Sequence, residues 1–489
     1  MTDPAHGLVL LVVCPLVGAA VIPALCRGRP GPAWLLALLV VALTLLAGVE
    51  LIARYLEVGR FAYAVGGWAA PYGIELRFDA FAALSVAFTL IFALSLIFAR
   101  RTLTTKHPAL FYSLMLINLG GLNGFMITGD LFNLFVFAEV FSVSAYALVA
   151  MSGRRLASLA ALKYLLLGAV SSMLILLAVG VIFAQTGTVN MVDAGVRLAA
   201  AESGLPGALA LALLTIGFLV KAALFPLHVW LPDAHASAPG PVSAVLSAVV
   251  VKAGVIGIIR IYEIFGESGA ISLAPLQSLL IWLGAIGALF GALAALVQRD
   301  LKRMLAWSTV TNIGYIAIGL GIGSATALAG ASAHILNHAL IKSALFLTAA
   351  ALIHGAGLRH IDDLRGLGEK MPLTAMALVV AMLALAGVPP TAGFVGKWQI
   401  ALAALQAELP FLLVVIIAGG LLVLAYAVRV INVLFFQAPV HVSVLEAREA
   451  SPSMLLPILV LAGLSLVMGL LGTKVLDFFA PAVAALVVG

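Results

Sequence analysis

The chain has 489 residues, 64% of them hydrophobic and 9% charged, with a mean hydropathy of +1.21. That composition excludes a water-soluble globular protein and defines an all-α polytopic membrane protein. The net charge of +6 is modest and is assigned to cytoplasmic loops, not to nucleic-acid binding.

Apolar runs of spanning length recur at 8–26, 33–53, 79–99, 109–128, 130–150, 161–184, 208–230, 240–262, 275–297, 302–322, 325–354, 373–405, 411–436 and 453–472. They predict about 14 transmembrane helices joined by short connections. The first run lacks a basic n-region and a small-residue cleavage site, so a retained span is expected. Cys14 and Cys26 lie in or beside it without metal or redox spacing and are expected to pack. Two spans are interrupted. Pro226 breaks one, because proline has no N–H and clashes one turn back. The Gly387-Val-Pro389-Pro390-Thr-Ala-Gly393 stretch breaks the other. Broken helices survive at membrane depth only where they are buried or line water.

Alternate loops carry Arg27, Arg29, Arg100, Arg101, Lys106, Arg154, Arg155, Arg299, Lys302, Arg303, Arg359, Arg365, Lys370 and Arg448. The opposite loops carry only Arg54, Arg60, Arg77, Arg197, Arg260 and Lys474. The excess predicts that the first set faces the cytoplasm and that both termini face outward. A faint repeat relates Asp130 to Glu139, with Tyr146, to Asp300 to Ser308, with Tyr315. A broken helix follows each. Paired breaks in two halves point to a transporter built from repeats, about 109–262 and 275–436.

Ionisable groups inside spans carry the functional reading, since a charge at the bilayer centre costs roughly 3 kcal/mol even on insertion scales. Glu139 is read as the only acidic residue well inside a span, and Lys221, just before the first break, as a natural partner. Burial disfavours the lysine charge and a nearby carboxylate favours it, so the two could act as a proton switch or as a structural ion pair. Lys252 lies on the next span. His334, His338 and Lys342, four residues apart, share one helix face that could hold a chain of water. Asn337 stands beside them, and no carboxylate or cysteine accompanies them in the span, which argues against a metal site. Lys397 follows the second break. Lys163 is either functional or a packing residue. His228, Asp233 and His235 are placed near the cytoplasmic mouth of the first break, where they either gate proton entry or cap the next helix.

At these residues the chain resembles the antiporter-type subunits shared by respiratory complex I and Mrp-type cation/proton antiporters. The similarity spans roughly residues 75–435. The Asp130-Leu-Phe-Asn-Leu-Phe-Val-Phe-Ala-Glu139 stretch is similar to the D subunit of the Mrp multisubunit sodium/proton antiporter. The resemblance implies two inverted five-helix repeats, a glutamate–lysine pair at Glu139 and Lys221, a central lysine at Lys252, relay histidines at His334 and His338, and a terminal lysine at Lys397. It also implies a subunit of a larger complex in a prokaryotic plasma membrane. Two functions follow from it: a sodium/proton antiporter subunit, or a proton-pumping subunit of a redox-driven complex. No cofactor of its own is expected, because two cysteines cannot ligate an iron–sulfur cluster. With Glu139 as the one buried carboxylate, no oxygen cage for a hard cation is legible, and a partner subunit is expected to complete any sodium path.

Overall fold

A computed structural model of the chain describes residues 6–26, 29–103, 105, 107–153, 155–201, 204–266, 269 and 271–487. Arg27, Lys106 and Arg154, counted above among the basic loop residues, lie outside the described residues. The chain is a helical membrane protein. Its apolar runs fold as helices because a helix satisfies its own backbone groups where no water can.

The helices in order are α1 (His6–Cys26), α2 (Pro30–Val58), α3 (Leu84–Thr102), α4 (Pro108–Ile127), α5 (Leu131–Ala150) and α6 (Arg155–Thr186). There follow α7 (Met191–Ala200), α8 (Gly204–Lys221), the short α9 (Leu231–Ser237), α10 (Gly240–Gly266) and α11 (Ala274–Leu296). The last are α12 (Leu301–Ile322), α13 (Ala325–Ala356), α14 (Pro372–Ala386), α15 (Ala392–Gln406), α16 (Pro410–Phe436), α17 (Pro452–Leu470) and α18 (Gly472–Ala484). Among the described residues, 13 helices are long and apolar enough to cross a membrane. The split pair α14 and α15 supplies the fourteenth crossing. A two-stranded antiparallel hairpin, β1 (Phe61–Ala64) and β2 (Glu75–Phe78), joins α2 to α3.

The predicted span 208–230 is not one helix. α8 ends at Lys221, and Ala223 has a positive φ of 50°. Pro226 contributes no N–H and excludes helical geometry from Phe225, so the chain runs through turns until α9. The Val220 carbonyl, left by this break with a turn bond from the Ala223 N–H at 3.1 Å, also accepts a hydrogen bond from the Trp230 indole N–H at 3.0 Å. The second break lies between α14 and α15, where Gly387 has a φ of 89°.

The two halves begin alike. Asp130 accepts a hydrogen bond from the Asn133 N–H and so caps α5, while Asp300 does the same for Arg303 in α12. Asp130 bridges to Asn190, and Asp300 bridges to His360. α6 and α13 both have 32 residues, and each feature in the second half lies 170 positions after its counterpart. Five crossings, an odd number, separate Asp130 from Asp300, so the repeated motif sits at opposite ends of the molecule. The repeats are inverted.

α10 contains two π turns, Leu246–Val250 and Tyr262–Gly266. At its far end Arg260 is 1% exposed and donates to Asp79 at 2.8 Å, to Glu263 at 2.6 Å and to the Met126 carbonyl at 3.0 Å. Arg77 in β2 pairs with the same Glu263. Arg77, Arg260 and Glu263 therefore do not occupy open loops, as their charge suggested. Two guanidinium groups and two carboxylates neutralise one another in one cluster. Burial works against the Asp79 carboxylate, but Arg260, Arg77 and the Ala82 N–H outweigh it and hold its carboxyl below the usual range. Lys302, also counted as a loop residue, is buried in the first turn of α12 and donates to the Ala238 carbonyl at 2.6 Å.

Candidate functional site

Besides Lys302, four lysines end in the interior. Lys252 and Lys342 are 0% exposed, and Lys221 and Lys397 are 6% exposed. Each ammonium has found acceptors, as burial demands. Lys252 follows the first π turn of α10 and donates to the Ser247 carbonyl at 2.5 Å. Lys342 donates to the Leu305 carbonyl and to Ser308 Oγ, both at 2.5 Å. Lys397 donates to the Leu385 carbonyl at 2.6 Å and the Ala386 carbonyl at 3.3 Å, both freed by the second break. Its ammonium also lies 4.9 Å from the centre of the Tyr315 ring.

Lys221 differs. Its Nζ donates to Ser142 Oγ at 3.0 Å and Ser172 Oγ at 3.1 Å, and lies 5.6 Å from the Phe141 ring centre. Ser172 in turn donates to Glu139 Oε1. Glu139 and Lys221 are thus not in direct contact; a serine stands between them. Glu139 is also only half-buried, not sealed in the interior as expected from its position in a span. Neither Ser142 nor Ser172 stood out in the sequence, because membrane helices use serine freely for local backbone bonds. Ser171, the neighbour, does that, donating to the Gly217 carbonyl at 2.7 Å.

On α13 the stripe is ordered as its spacing predicts. The His334 and His338 rings stack with centroids 5.8 Å apart, and His334 Nε2 shares a hydrogen bond with Asn312 Oδ1 at 3.1 Å. His338 is fully buried, and neither of its ring nitrogens has a hydrogen-bond partner among the described residues. Lys252, Lys342, His334 and Lys397 all lie close enough to act on it electrostatically. His338 is therefore the hub that α10, α13 and α15 share. Asn337 faces α15 and donates to the Ala392 carbonyl at 2.8 Å. Two glycines permit close approach, Gly396 of α15 to α13 and Gly254 of α10 to the break after α8. A Cβ on Gly254 would meet the Ala222 nitrogen at 2.2 Å, and one on Gly396 would meet the His334 Cβ at 2.6 Å.

The residues of the first break separate into different settings. His228 packs among Phe225, Phe290 and Trp307, with ring centroids 5.1–6.0 Å away. His235 is fully buried against Phe346 and within electrostatic reach of Lys252, Lys302 and Lys342. Neither lies at the mouth. Asp233 does: it accepts from Lys163 at 2.9 Å and pairs with Arg303 at 3.2 Å, all three being part-exposed. A cavity of about 390 Å³ at this end is lined by Ala238, Lys302, His354 and Arg359. Another of about 450 Å³ at the Asp130 end is lined by Arg60, Asp79, Glu263 and Asp477.

Fourteen crossings in inverted halves, two broken helices and a line of buried amines define an antiporter-type transmembrane subunit. The comparisons with known proteins agree. The chain belongs to the family described as NADH:quinone oxidoreductase/Mrp antiporter, which residues 128–423 match. It is 39% identical to the N subunit of the NADH-quinone oxidoreductase of Desulforudis audaxviator, over 97% of each chain. It is 32% identical to the D subunit of the Na(+)/H(+) antiporter of Alkalihalophilus pseudofirmus, over 88% of each. Its fold matches a chain in the Mrp complex from a Dietzia species with a TM-score of 0.91, at 27% identity, covering 99% of this chain and 98% of that one. The protein is an antiporter-like membrane subunit of the Mrp or complex I type, a transporter-type module.

Proposed function

We propose that this subunit moves protons along Glu139, Lys221, Lys252, the His334–His338–Lys342 stripe and Lys397, as part of a multisubunit sodium/proton antiporter in a bacterial-type plasma membrane. The observation that carries this reading is the set of buried lysines Lys221, Lys252, Lys342 and Lys397, none of them bonded directly to a carboxylate among the described residues. A charge held there without a counter-ion is costly, and a proton that can leave removes the cost. The two halves, about 109–262 and 275–436, would each contribute one broken helix to the path. Both termini would face outward. A partner subunit supplies the remaining cation ligands, because among the described residues Glu139 has no second carboxylate beside it in the line.

A second reading has equal support: a proton-pumping subunit of a redox-driven complex, favoured by the 39% identity to a quinone oxidoreductase subunit. Reconstitution of the intact complex in liposomes separates the two. Sodium-dependent proton flux without an electron donor supports the antiporter, and proton flux that appears only with a donor supports the pump. Proton movement retained in full by Lys252→Ala would remove the line from either reading.

A further inference from the structure

The partners of Lys221 are chemically unlike those of the other three lysines. A backbone carbonyl can only accept a hydrogen bond, so it suits an ammonium and leaves a neutral amine lone pair unmatched. Lys252 and Lys397 have carbonyls alone, and Lys342 has a carbonyl and Ser308. Lys221 has two hydroxyls. A hydroxyl rotates to accept from the ammonium or to donate to the amine, so it fits both protonation states. Ser172 also reaches the carboxylate, whereas its neighbour Ser171 is committed to the Gly217 carbonyl.

We propose that Ser172 is the relay through which a proton passes between Lys221 and Glu139, with Ser142 holding the amine in place. The inference rests on the proposed proton path and adds a residue to it. In the transfer an N–H bond of the Lys221 ammonium breaks as an O–H bond forms on Ser172 Oγ. The original Ser172 O–H breaks as one forms on Glu139 Oε1. The products are a neutral amine, an intact serine and a neutral carboxylic acid, so no other reactant is needed. The enclosed space beside Lys221, lined by Ser142, Tyr146, Tyr164 and Trp230, is about 10 Å³. That is room for about one water, placed on the side of Lys221 lined by Ser142, so the serine is the link to the carboxylate.

The test uses the intact complex in liposomes with Ser172→Ala, Ser172→Thr, Ser172→Cys, Ser171→Ala and Lys221→Ala. Proton flux should fall by about 100-fold in Ser172→Ala, the lower end of what a positioned proton-transfer group contributes. Ser172→Thr should restore most of it. The carboxyl infrared band of Glu139, assigned with Glu139→Gln, should shift in Ser172→Ala and stay in place in Ser171→Ala. If the alanine variant fails to assemble, Ser172→Cys decides, since a thiol is a weak donor and should slow the flux. Wild-type flux in Ser172→Ala or Ser172→Cys, with Lys221→Ala inactive, overturns the relay and leaves the wider path standing. Wild-type flux in Lys221→Ala overturns the path and the relay with it.

Discussion

Helices α6 and α13 have the same length and the same place in their halves, yet one carries Ser172 where the other, 170 positions on, carries Lys342. The capping aspartates and the bridges beside them repeat in the same register. The first half places a carboxylate one hydroxyl away from its lysine. The second half has no carboxylate paired with Lys342 or Lys397 among the described residues. Its amines rest on carbonyls, a serine and an aromatic face. One scaffold therefore supports two ways of keeping an amine at membrane depth. At Lys221 the charge has a nearby opposite; at Lys342 and Lys397, as at Lys252 in the first half, it has dipoles, with histidines nearby that can exchange a proton. The breaks differ in the same sense, since Trp230 satisfies the freed carbonyl in one and Lys397 satisfies those in the other.

The comparison breaks if either half can be silenced without loss. Lys397→Arg keeps the charge and the carbonyl contacts but effectively cannot release a proton. It is expected to assemble and to lose at least about 100-fold in proton flux, as Lys397→Ala does. Wild-type flux would reduce Lys397 to a cap for the Leu385 and Ala386 carbonyls. In the first half, Glu139→Ala and Lys221→Ala are each expected to abolish most flux, with the double variant little worse than either. Residues acting as one unit give such non-additive losses. Additive losses measured in the same liposomes would show that Ser172 joins nothing.

Smaller effects sharpen the contrast between the ends of the molecule. Asp79→Asn removes one partner of a buried ion cluster and should cost about 3 kcal/mol of stability, read as a lower unfolding temperature in detergent. Because the native Asp79 carboxyl is held below its usual range, this stabilisation is complete above about pH 4. It is lost as the pH falls through the native value, so wild type and variant should converge in acid. Asp233→Asn, which loosens the part-exposed contacts to Lys163 and Arg303, should cost at most about 1 kcal/mol. A larger loss would mean that this tie between halves bears more of the fold than its exposure suggests.

The crossings were legible because hydropathy over spanning lengths is a strong signal, and the breaks because proline and glycine mark them. The buried lysines and the α13 histidines could be named for the same reason: a charge in an apolar run is conspicuous. What escaped was everything that depends on which faces meet. Ser142 and Ser172 look like ordinary membrane serines until α5, α6 and α8 are brought together. Arg77 and Arg260 read as loop charges because their partners Glu263 and Asp79 stand 186 and 181 positions away and leave no local trace. His228 and His235 sit close in sequence to Asp233, but the turns around Pro226 send one into an aromatic nest and the other to the lysines.

Between its two π turns α10 runs as plain α-helix from Val251 to Ile261, with Lys252 near one end and Arg260 near the other. The two are about 12 Å apart along the axis at 1.5 Å per residue. Each π turn inserts a residue, so the segment is offset in phase from its flanks by roughly 100° at either end. It resembles a shaft between two couplings, and its angle is set by whatever grips it. Asp79 and Glu263 grip Arg260, and Lys252 inherits that angle. Removing a residue between 246 and 250 would be absorbed by the coupling. Removing one between 253 and 259 would turn Lys252, with the Ser247 carbonyl it binds, by roughly 100° while Arg260 stayed clamped, aiming the amine away from His338.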